Sequence, residues 1–207
     1  MTLITLSAPY GSGGSQVGPV VAEQLGVPFV DRAIPTGVAE RLAVPLQEAV
    51  QRDEAVGNWL TRALLSFGQV GPVLGGATPA PTEVLTDETF RQATEQVLRE
   101  HAAGGGAVIL GRAGAIVLRD DAGALHVRLT GPTQARIAQG MRIEGVDRDT
   151  VVRHAEETDR ARQAYVHHFY GEDPRDPGLY HLVIDSTAIP LEACAALIVA
   201  AARARSG

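Results

Sequence analysis

The chain has 207 residues, 45% of them apolar and 20% charged, a balance that is typical of one globular domain and excludes a disordered protein. Its net charge of -6 disfavours nucleic acid and anionic membranes as partners. Its single cysteine excludes an internal disulfide, and its apolar runs are shorter than the roughly 20 residues that cross a bilayer. Since the sequence begins with a strand-like segment instead of a signal peptide, we expect a cytoplasmic protein.

The beginning of the chain predicts a strand, a glycine-rich loop, a helix and a second strand. An apolar run at 3–7 is followed by a glycine-rich segment at 11–14 and by apolar residues at helical spacing up to 25. Gly26 ends this helix, and a second apolar run at 27–31 ends in an acidic residue. The natural interpretation is a βαβ unit.

The rest of the chain continues the alternation of strands and helices. We predict strands at 107–110, 125–130 and 182–185, and helices at 87–103, 132–143, 147–170 and 190–204. Two further helices are expected within 36–67, and a flexible flap at 68–85, where Gly, Pro and Thr are concentrated. The pattern predicts a single α/β domain in three layers, with a mostly parallel five-stranded sheet flanked by helices.

The glycine-rich loop matches a phosphate-binding loop only in part. Against the pattern G-x-x-x-x-G-K-[ST], Gly13 and Ser15 match, whereas Ala8 replaces the first glycine and Gly14 replaces the lysine. All 18 basic residues of the chain are arginines, so an arginine must supply the positive charge that the lysine would bring to the terminal phosphates. The backbone cradle and the Mg²⁺-binding hydroxyl of Ser15 could still be present.

Two other interpretations of this loop stay open from the residues alone. It could be a strand-to-helix turn without a ligand. It could also bind a dinucleotide, because Asp31 lies where a ribose-binding acid is expected, although Gln16 occupies a position that the G-x-G-x-x-G pattern reserves for glycine. The latter would make the protein an NAD-dependent oxidoreductase.

Several segments in order resemble the cytidylate kinase-like family of P-loop proteins. The segments that carry the resemblance cover most of the chain and are YGSGG at 10–14, LGVPFVDR at 25–32, VILGR at 108–112, LHV at 125–127 followed by Arg136, TDRAR at 158–162 before Tyr165, and IDST at 184–187. The family looks like a branch of the nucleoside monophosphate kinases. Many of its members have arginine where this chain has Ser15, and Arg-Glu where it has Ala8 and Pro9.

The resemblance implies a P-loop NTPase-like fold and a phosphotransferase that moves the terminal phosphoryl group of ATP to a nucleoside monophosphate or a similar small acceptor. ATP and Mg²⁺ would be its cofactors, and the nucleotide and the acceptor its partners, with a homodimer as one option. The donor phosphates would bind the loop residues Gly11, Ser12, Gly13, Gly14, Ser15 and Gln16, and Ser15 would also contact Mg²⁺. The altered charged positions leave a catalytically degenerate nucleotide-binding or regulatory protein as the alternative.

The resemblance also implies roles for four charged residues. Arg160 and Arg162 lie in a lid-like helical segment at about 145–172, from which arginines reach the transferred phosphoryl group, although a solvated, ion-paired helix face is the simpler interpretation. Arg112 and Asp31 follow predicted strands and would orient the acceptor, although a salt bridge and a helix cap would serve equally well. A helical insertion at about 36–103 would form the acceptor side.

Overall fold

The computed structural model describes residues 2–31, 87–111 and 113–206. The predicted helices at 36–67, the predicted flap at 68–85 and Arg112 therefore lie outside the described residues. The elements in chain order are β1 (Thr2–Ser7), α1 (Gly14–Leu25), β2 (Phe29–Val30), α2 (Asp87–Ala103), β3 (Gly106–Leu110), α3 (Gly114–Val117), β4 (Ala124–Thr130), α4 (Thr133–Glu144), α5 (Arg148–Tyr170), a short 3₁₀ helix (Pro177–Leu179), β5 (Leu182–Asp185) and α6 (Leu191–Ser206).

The five strands form one parallel sheet in the order β2-β3-β1-β4-β5. β1 is central, and its Thr5 is aligned with Ile109 of β3 and with His126 of β4. The chain moves from β1 to β2 on one side of the sheet and from β4 to β5 on the other. In such sheets a crevice opens outside the carboxyl ends of the strands, where the direction of the connections changes.

Helices cover both faces of this sheet, which explains why its strands are almost continuously apolar. On one face, α1 and α6 pack on the sheet in a core that includes Val17, Val21 and Ile198, each at most 1% exposed. On the other face, α2 packs on β3 through Leu98, which is fully buried, and through Val97. The three-layer α/β architecture expected from the sequence is thus confirmed.

Helix α5 is one continuous helix over most of the segment that the sequence marks as lid-like. Asp147 caps its first turn by accepting a hydrogen bond from the backbone N–H of Thr150 at 3.0 Å. The start of α5 packs on α4 through Val151, and its end packs on α3, where Tyr165 and Ile116 share a small apolar cluster. Whether the helix moves as a lid stays a prediction. The sequence did not predict α3, whose four residues are too few to show a helical period.

Candidate functional site

The loop between β1 and α1 has a backbone that only glycine adopts easily at two positions. Gly11 and Gly13 have φ angles of 75° and 79°, in the left-handed region. A Cβ atom on Gly11 would also lie 2.2 Å from the carbonyl oxygen of Arg136, a distance that no real contact allows. The loop is closed by a turn in which the N–H of Ser12 donates to the carbonyl oxygen of Pro9 at 3.1 Å.

Five consecutive carbonyl oxygens of this loop accept hydrogen bonds from side chains, four of which come from distant parts of the chain and one from Ser12 in the loop itself. The donors, in order of the acceptor, are Arg162 Nη1 to Ala8 at 2.6 Å, Ser12 Oγ to Pro9 at 2.7 Å, Arg136 Nη1 to Tyr10 at 2.6 Å, Gln139 Nε2 to Gly11 at 3.1 Å and Ser186 Oγ to Ser12 at 2.7 Å. Because these oxygens already accept hydrogen bonds, they repel an incoming anion less than free carbonyl oxygens would.

Unlike the carbonyl oxygens of the loop, some of the N–H groups at the start of α1 have no hydrogen-bond partner among the described residues. Gln16 and Val17 donate to the carbonyl oxygen of Gly13 at 3.0 and 2.9 Å. In the described part of the chain, the N–H groups of Gly13, Gly14 and Ser15 have no hydrogen-bond acceptor. They lie at the positive end of a helix of 12 residues, which favours an anion.

These N–H groups border a cleft of about 220 Å³, which we call the loop cleft. Its walls come from the loop and α1, from the ends of β2 and β3, and from α4 and α5; they include Ser15, Asp31, Leu110, Ile143, Thr158 and Arg162. Of the described residues that line it, Arg162 is the one with a positive charge. The cleft thus combines helix-terminal N–H groups with one guanidinium and the carboxylates of Asp31 and Glu144.

Arg162 reaches this cleft from α5 and is partly buried. Burial lowers the pKa of its guanidinium, and the positive charge of Arg136 lowers it further, whereas the carboxylates of Asp159 and Asp31 raise it. An arginine side chain keeps its proton in a protein despite such a shift. The site therefore holds a poorly hydrated positive charge, which interacts more strongly with an anion than an exposed one would.

A second cleft, of about 330 Å³, lies on the other side of Arg162, between the carboxyl ends of β1 and β4. Four arginines line it, and we call it the arginine cleft: Arg128, Arg136, Arg162 and Arg175. Ala8 and Arg162 line both clefts. The loop cleft and the arginine cleft therefore adjoin at the carboxyl edge of the sheet and share the guanidinium of Arg162.

Asp159 connects the loop to α4 and α5. Its Oδ1 accepts from the N–H of Tyr10 at 2.8 Å, and its Oδ2 accepts from Arg136 Nη1 at 2.8 Å. The Tyr10 hydroxyl in turn donates to Glu144, and the pKa of Tyr10 is raised first by burial and then by this carboxylate. Tyr10 is therefore held at its N–H, its carbonyl oxygen and its hydroxyl.

The structure brings some of the sequence-predicted residues together and separates others. Gly11, Gly13, Gly14, Ser15 and Asp31 line the loop cleft with Arg162, whereas Ser12 is buried and Gln16 is exposed beside it. Arg160 is exposed and lines neither cleft. Residues two apart in a helix point about 200° apart, so Arg160 and Arg162 cannot face the same ligand from a fixed α5. The catalytic role of Arg160 stays a prediction.

The segment after β5 supports the loop. Asp185 Oδ1 accepts from the N–H and hydroxyl of Thr187 at 2.9 and 2.6 Å, which caps the turn and lowers the pKa of Asp185. Ser186, which is 1% exposed, holds the carbonyl oxygen of Ser12. These contacts cap the turn after β5 and hold the loop in place.

Sequence reasoning overlooked Arg128 and Gln139. Arg128 could have been found because it is a charged residue within an apolar strand, where burial of a charge costs free energy unless a partner compensates it. Gln139 had no signal, because a polar residue in the middle of a helix usually faces solvent; here it is 6% exposed and bonds to Gly11.

A family model described as the cytidylate kinase-like family matches residues 3–188. The chain belongs to the cytidylate kinase-like family. Membership in a kinase-like family, together with the parallel sheet and the loop after β1, supports a phosphotransferase of the P-loop kinase type over the dinucleotide-binding alternative. It does not define a substrate.

Solved structures with the same fold include an uncharacterized protein and a kinase. An uncharacterized protein from Eubacterium ventriosum is 18% identical, with a TM-score of 0.68 and 98% of each chain covered. A shikimate kinase from Bacteroides thetaiotaomicron is 12% identical, with a TM-score of 0.51 and 95% of each chain covered. At such low identity, these likenesses show the fold alone.

A curated relative is a uronate isomerase from Corynebacterium glutamicum, which is 27% identical over 147 residues. The match covers 71% of this chain but spans only about a quarter of the relative, 27% of its length. The likeness therefore concerns one part of that protein.

Two features are absent from the described residues. None of the helices in the described ranges is both long and apolar enough to span a membrane. No group of three or more His, Cys, Asp or Glu side chains with the spacing of a metal site occurs in the same ranges.

Proposed function

We propose that this member of the cytidylate kinase-like family is a Mg²⁺-dependent phosphotransferase that moves the terminal phosphoryl group of ATP to a small acceptor, such as a nucleoside monophosphate. The observation that carries the proposal is the position of Arg162. It lies in the loop cleft, bonded to Ala8, in a chain whose loop has glycine in place of the usual lysine. Positive charge at the phosphates is the main requirement of phosphoryl transfer.

The residues present fit a nucleotide with its metal ion. The N–H groups of Gly13, Gly14 and Ser15 suit phosphate oxygens, and the carbonyl oxygens of the preceding loop are already bonded elsewhere. The exposed Ser15, at the start of α1 in the loop cleft, would hold Mg²⁺ through its hydroxyl. Bound Mg²⁺ would offset the negative charge of the phosphates.

The transfer step needs few protein groups. An oxygen of the acceptor would attack the terminal phosphorus of ATP, the bond from that phosphorus to the bridging oxygen would break, and ADP would leave. Arg162 would stabilise the charge on the transferred group. If the attacking group is a hydroxyl, Asp31 in the same cleft would take its proton; a phosphate oxygen needs no base.

A non-catalytic nucleotide-binding protein is the second candidate. Two features of the loop favour it: Ala8 and Gly14 replace residues of the phosphate-loop pattern, and Arg162 already donates to the Ala8 carbonyl oxygen. In that case the clefts would bind a nucleotide without transferring its phosphoryl group.

Calorimetric titration with ATP and Mg²⁺, followed by a coupled ADP-release assay, separates these candidates. The acceptor panel contains nucleoside monophosphates, and also D-glucuronate and D-galacturonate, because a uronate isomerase matches most of the chain. Binding with acceptor-dependent ADP release supports the phosphotransferase. Binding without release against the whole panel supports the non-catalytic protein, and the absence of binding contradicts both.

A further inference from the structure

Arg128 is a charged residue in the interior of the sheet. It lies on β4 between β1 and β5, aligned with Ser7 and Val183, and its neighbours Val127 and Leu129 are fully buried. Its own side chain is partly buried. A guanidinium in such a position is costly unless an anion accompanies it.

The protein contacts of Arg128 are with neutral groups. Its Nη1 donates to Ser7 Oγ at 3.0 Å, and its guanidinium lies 5.6 Å from the centre of the Tyr180 ring. Across the described ranges it forms no ion pair. Asp173 is near enough for Arg128 to help lower its pKa, but hydrogen bonds from Arg175 are the main cause of that shift, and they occupy both carboxylate oxygens.

Arg128 lines the arginine cleft, whose described charged residues are four arginines and one acid. The acid is Asp159, and its two oxygens already bond to Arg136 and to the backbone of Tyr10. The cleft therefore carries excess positive charge in a partly enclosed space. Guanidinium groups arranged in this way are suited to phosphate or carboxylate oxygens.

We propose that the arginine cleft is a binding site for the oxyanion of a small molecule, a phosphate or a carboxylate, held by Arg128. The site is separate from the loop cleft but shares Ala8 and Arg162 with it. The source of the oxyanion rests on the proposed phosphotransferase function. With that function, the oxyanion belongs to the acceptor, which is then an anionic molecule bound beside the donor phosphates.

The test is a titration of the protein, without ATP, with inorganic phosphate and separately with D-glucuronate. The signal is the side-chain Nε–Hε NMR resonance of Arg128, identified as the resonance that disappears in both Arg128→Gln and Arg128→Lys. It should shift in a saturable manner with at least one probe. Arg128→Gln should weaken the binding of that probe about 10- to 100-fold, the equivalent of a lost charged hydrogen bond.

The controls separate a specific site from general charge and from misfolding. Arg153→Gln removes an exposed arginine of α5 and should leave the affinity unchanged. Should Arg128→Gln fail to fold, the wild-type resonance and the charge-preserving Arg128→Lys still decide the question. An Arg128 resonance that both probes leave unmoved, or equal affinity in Arg128→Gln and wild type, would overturn the proposal.

Kinetics identify the source of the oxyanion if the protein proves to be a phosphotransferase. An oxyanion that belongs to the acceptor predicts that Arg128→Gln raises the KM for the acceptor at least about tenfold and leaves the KM for ATP unchanged. A free anion predicts lost anion binding with both KM values unchanged. Because the titration contains no ATP, a shift of Arg128 without any turnover refutes only the proposed function, and turnover without a shift refutes only the oxyanion site.

Discussion

Arg162 Nη1 donates to the carbonyl oxygen of Ala8 at 2.6 Å and so joins the last third of the chain to the first position of the phosphate-loop pattern, 154 residues away. The pattern has lost its first glycine and its lysine at Ala8 and Gly14. The guanidinium lies beside both of these positions, in the cleft that they border. One arginine from α5 thus both supports the altered loop and supplies its positive charge.

Substitution of Arg162 tests this double role. Arg162→Gln should reduce turnover about 100- to 1000-fold, the usual cost of removing a donor that stabilises transition-state charge. Arg162→Lys should recover part of this loss, since it keeps the charge and loses the planar guanidinium. Steady-state ADP release measures both, and Arg153→Gln on the same helix is the charge control. Wild-type turnover in Arg162→Gln would remove Arg162 from the mechanism.

Ser15→Ala tests the metal assignment. The Ser15 side chain is exposed in the loop cleft, so its removal should leave the thermal unfolding midpoint unchanged while turnover falls roughly 100-fold, as misplacement of a reacting group does. Raising the Mg²⁺ concentration should recover part of the activity. Ser12→Ala is the contrasting variant, because the fully buried Ser12 hydroxyl bonds to Pro9 and its loss should lower stability. Unchanged turnover in Ser15→Ala would rule out the hydroxyl as a metal ligand.

The strands could be predicted from the sequence, and so could the sheet edge at which the candidate site lies, because both depend on local patterns. The short apolar runs at 3–7 and 107–110 favour buried strands, and parallel strands bring their carboxyl ends to one edge. The partners of the loop could not be predicted. Which side of α5 faces the loop depends on the rotation of the helix in the fold, and therefore Arg162 and Asp159 lie at the site while Arg160 does not.

The hydrogen bonds from Gln139 and Ser186 to the loop could not be predicted from the sequence either. Each connects residues more than a hundred positions apart, and neither residue has a neighbour in sequence that indicates such a role. A single polar side chain carries no periodicity. Its burial and its partner depend on how α4 and β5 pack beside the loop, which is a property of the whole sheet.

Asp159→Asn tests whether the loop is held in place by the Asp159 contacts. The substitution removes the charge that Arg136 faces, and the Arg136 side chain is only 11% exposed. We expect the free energy of unfolding to fall by about 1 to 3 kcal/mol, and ATP affinity to fall with it because the Tyr10 N–H loses its charged acceptor. Urea unfolding and calorimetry measure the two effects.

The matched control for that variant is Asp173→Asn. Asp173 also pairs with an arginine, but its side chain is 45% exposed and its partner Arg175 is 66% exposed. Because solvent screens such a pair, its loss should change stability much less. Equal effects of the two substitutions would contradict a structural role of Asp159 in the loop.

His126 should make the stability of the fold depend on pH. It is 4% exposed, its Nδ1 lies 2.8 Å from Thr5 Oγ1, and its ring stacks on that of His181. Burial is the main cause that lowers the pKa of His126 from 6.5 to about 4, and the charges of His181 and Arg205 add to it. Between these values the unfolded chain binds a proton that the folded chain does not, so folding stability is complete above pH 6.5 and falls as the pH drops toward 4.

The contribution of His126 to the loss over this range should be about 1 to 3 kcal/mol, and it should not grow below pH 4, where the ring is protonated in both states. Urea unfolding at half-unit steps between pH 7.5 and 4 would measure it, with each pH value tested for two-state behaviour. His126→Gln removes the titrating ring and should flatten the curve, although His181, whose pKa is also lowered by burial, should leave a smaller slope. His167→Gln, on the exposed last turn of α5, should keep the wild-type curve. If His126→Gln and wild type lost stability in parallel, acid sensitivity would have to come from groups other than this buried ring.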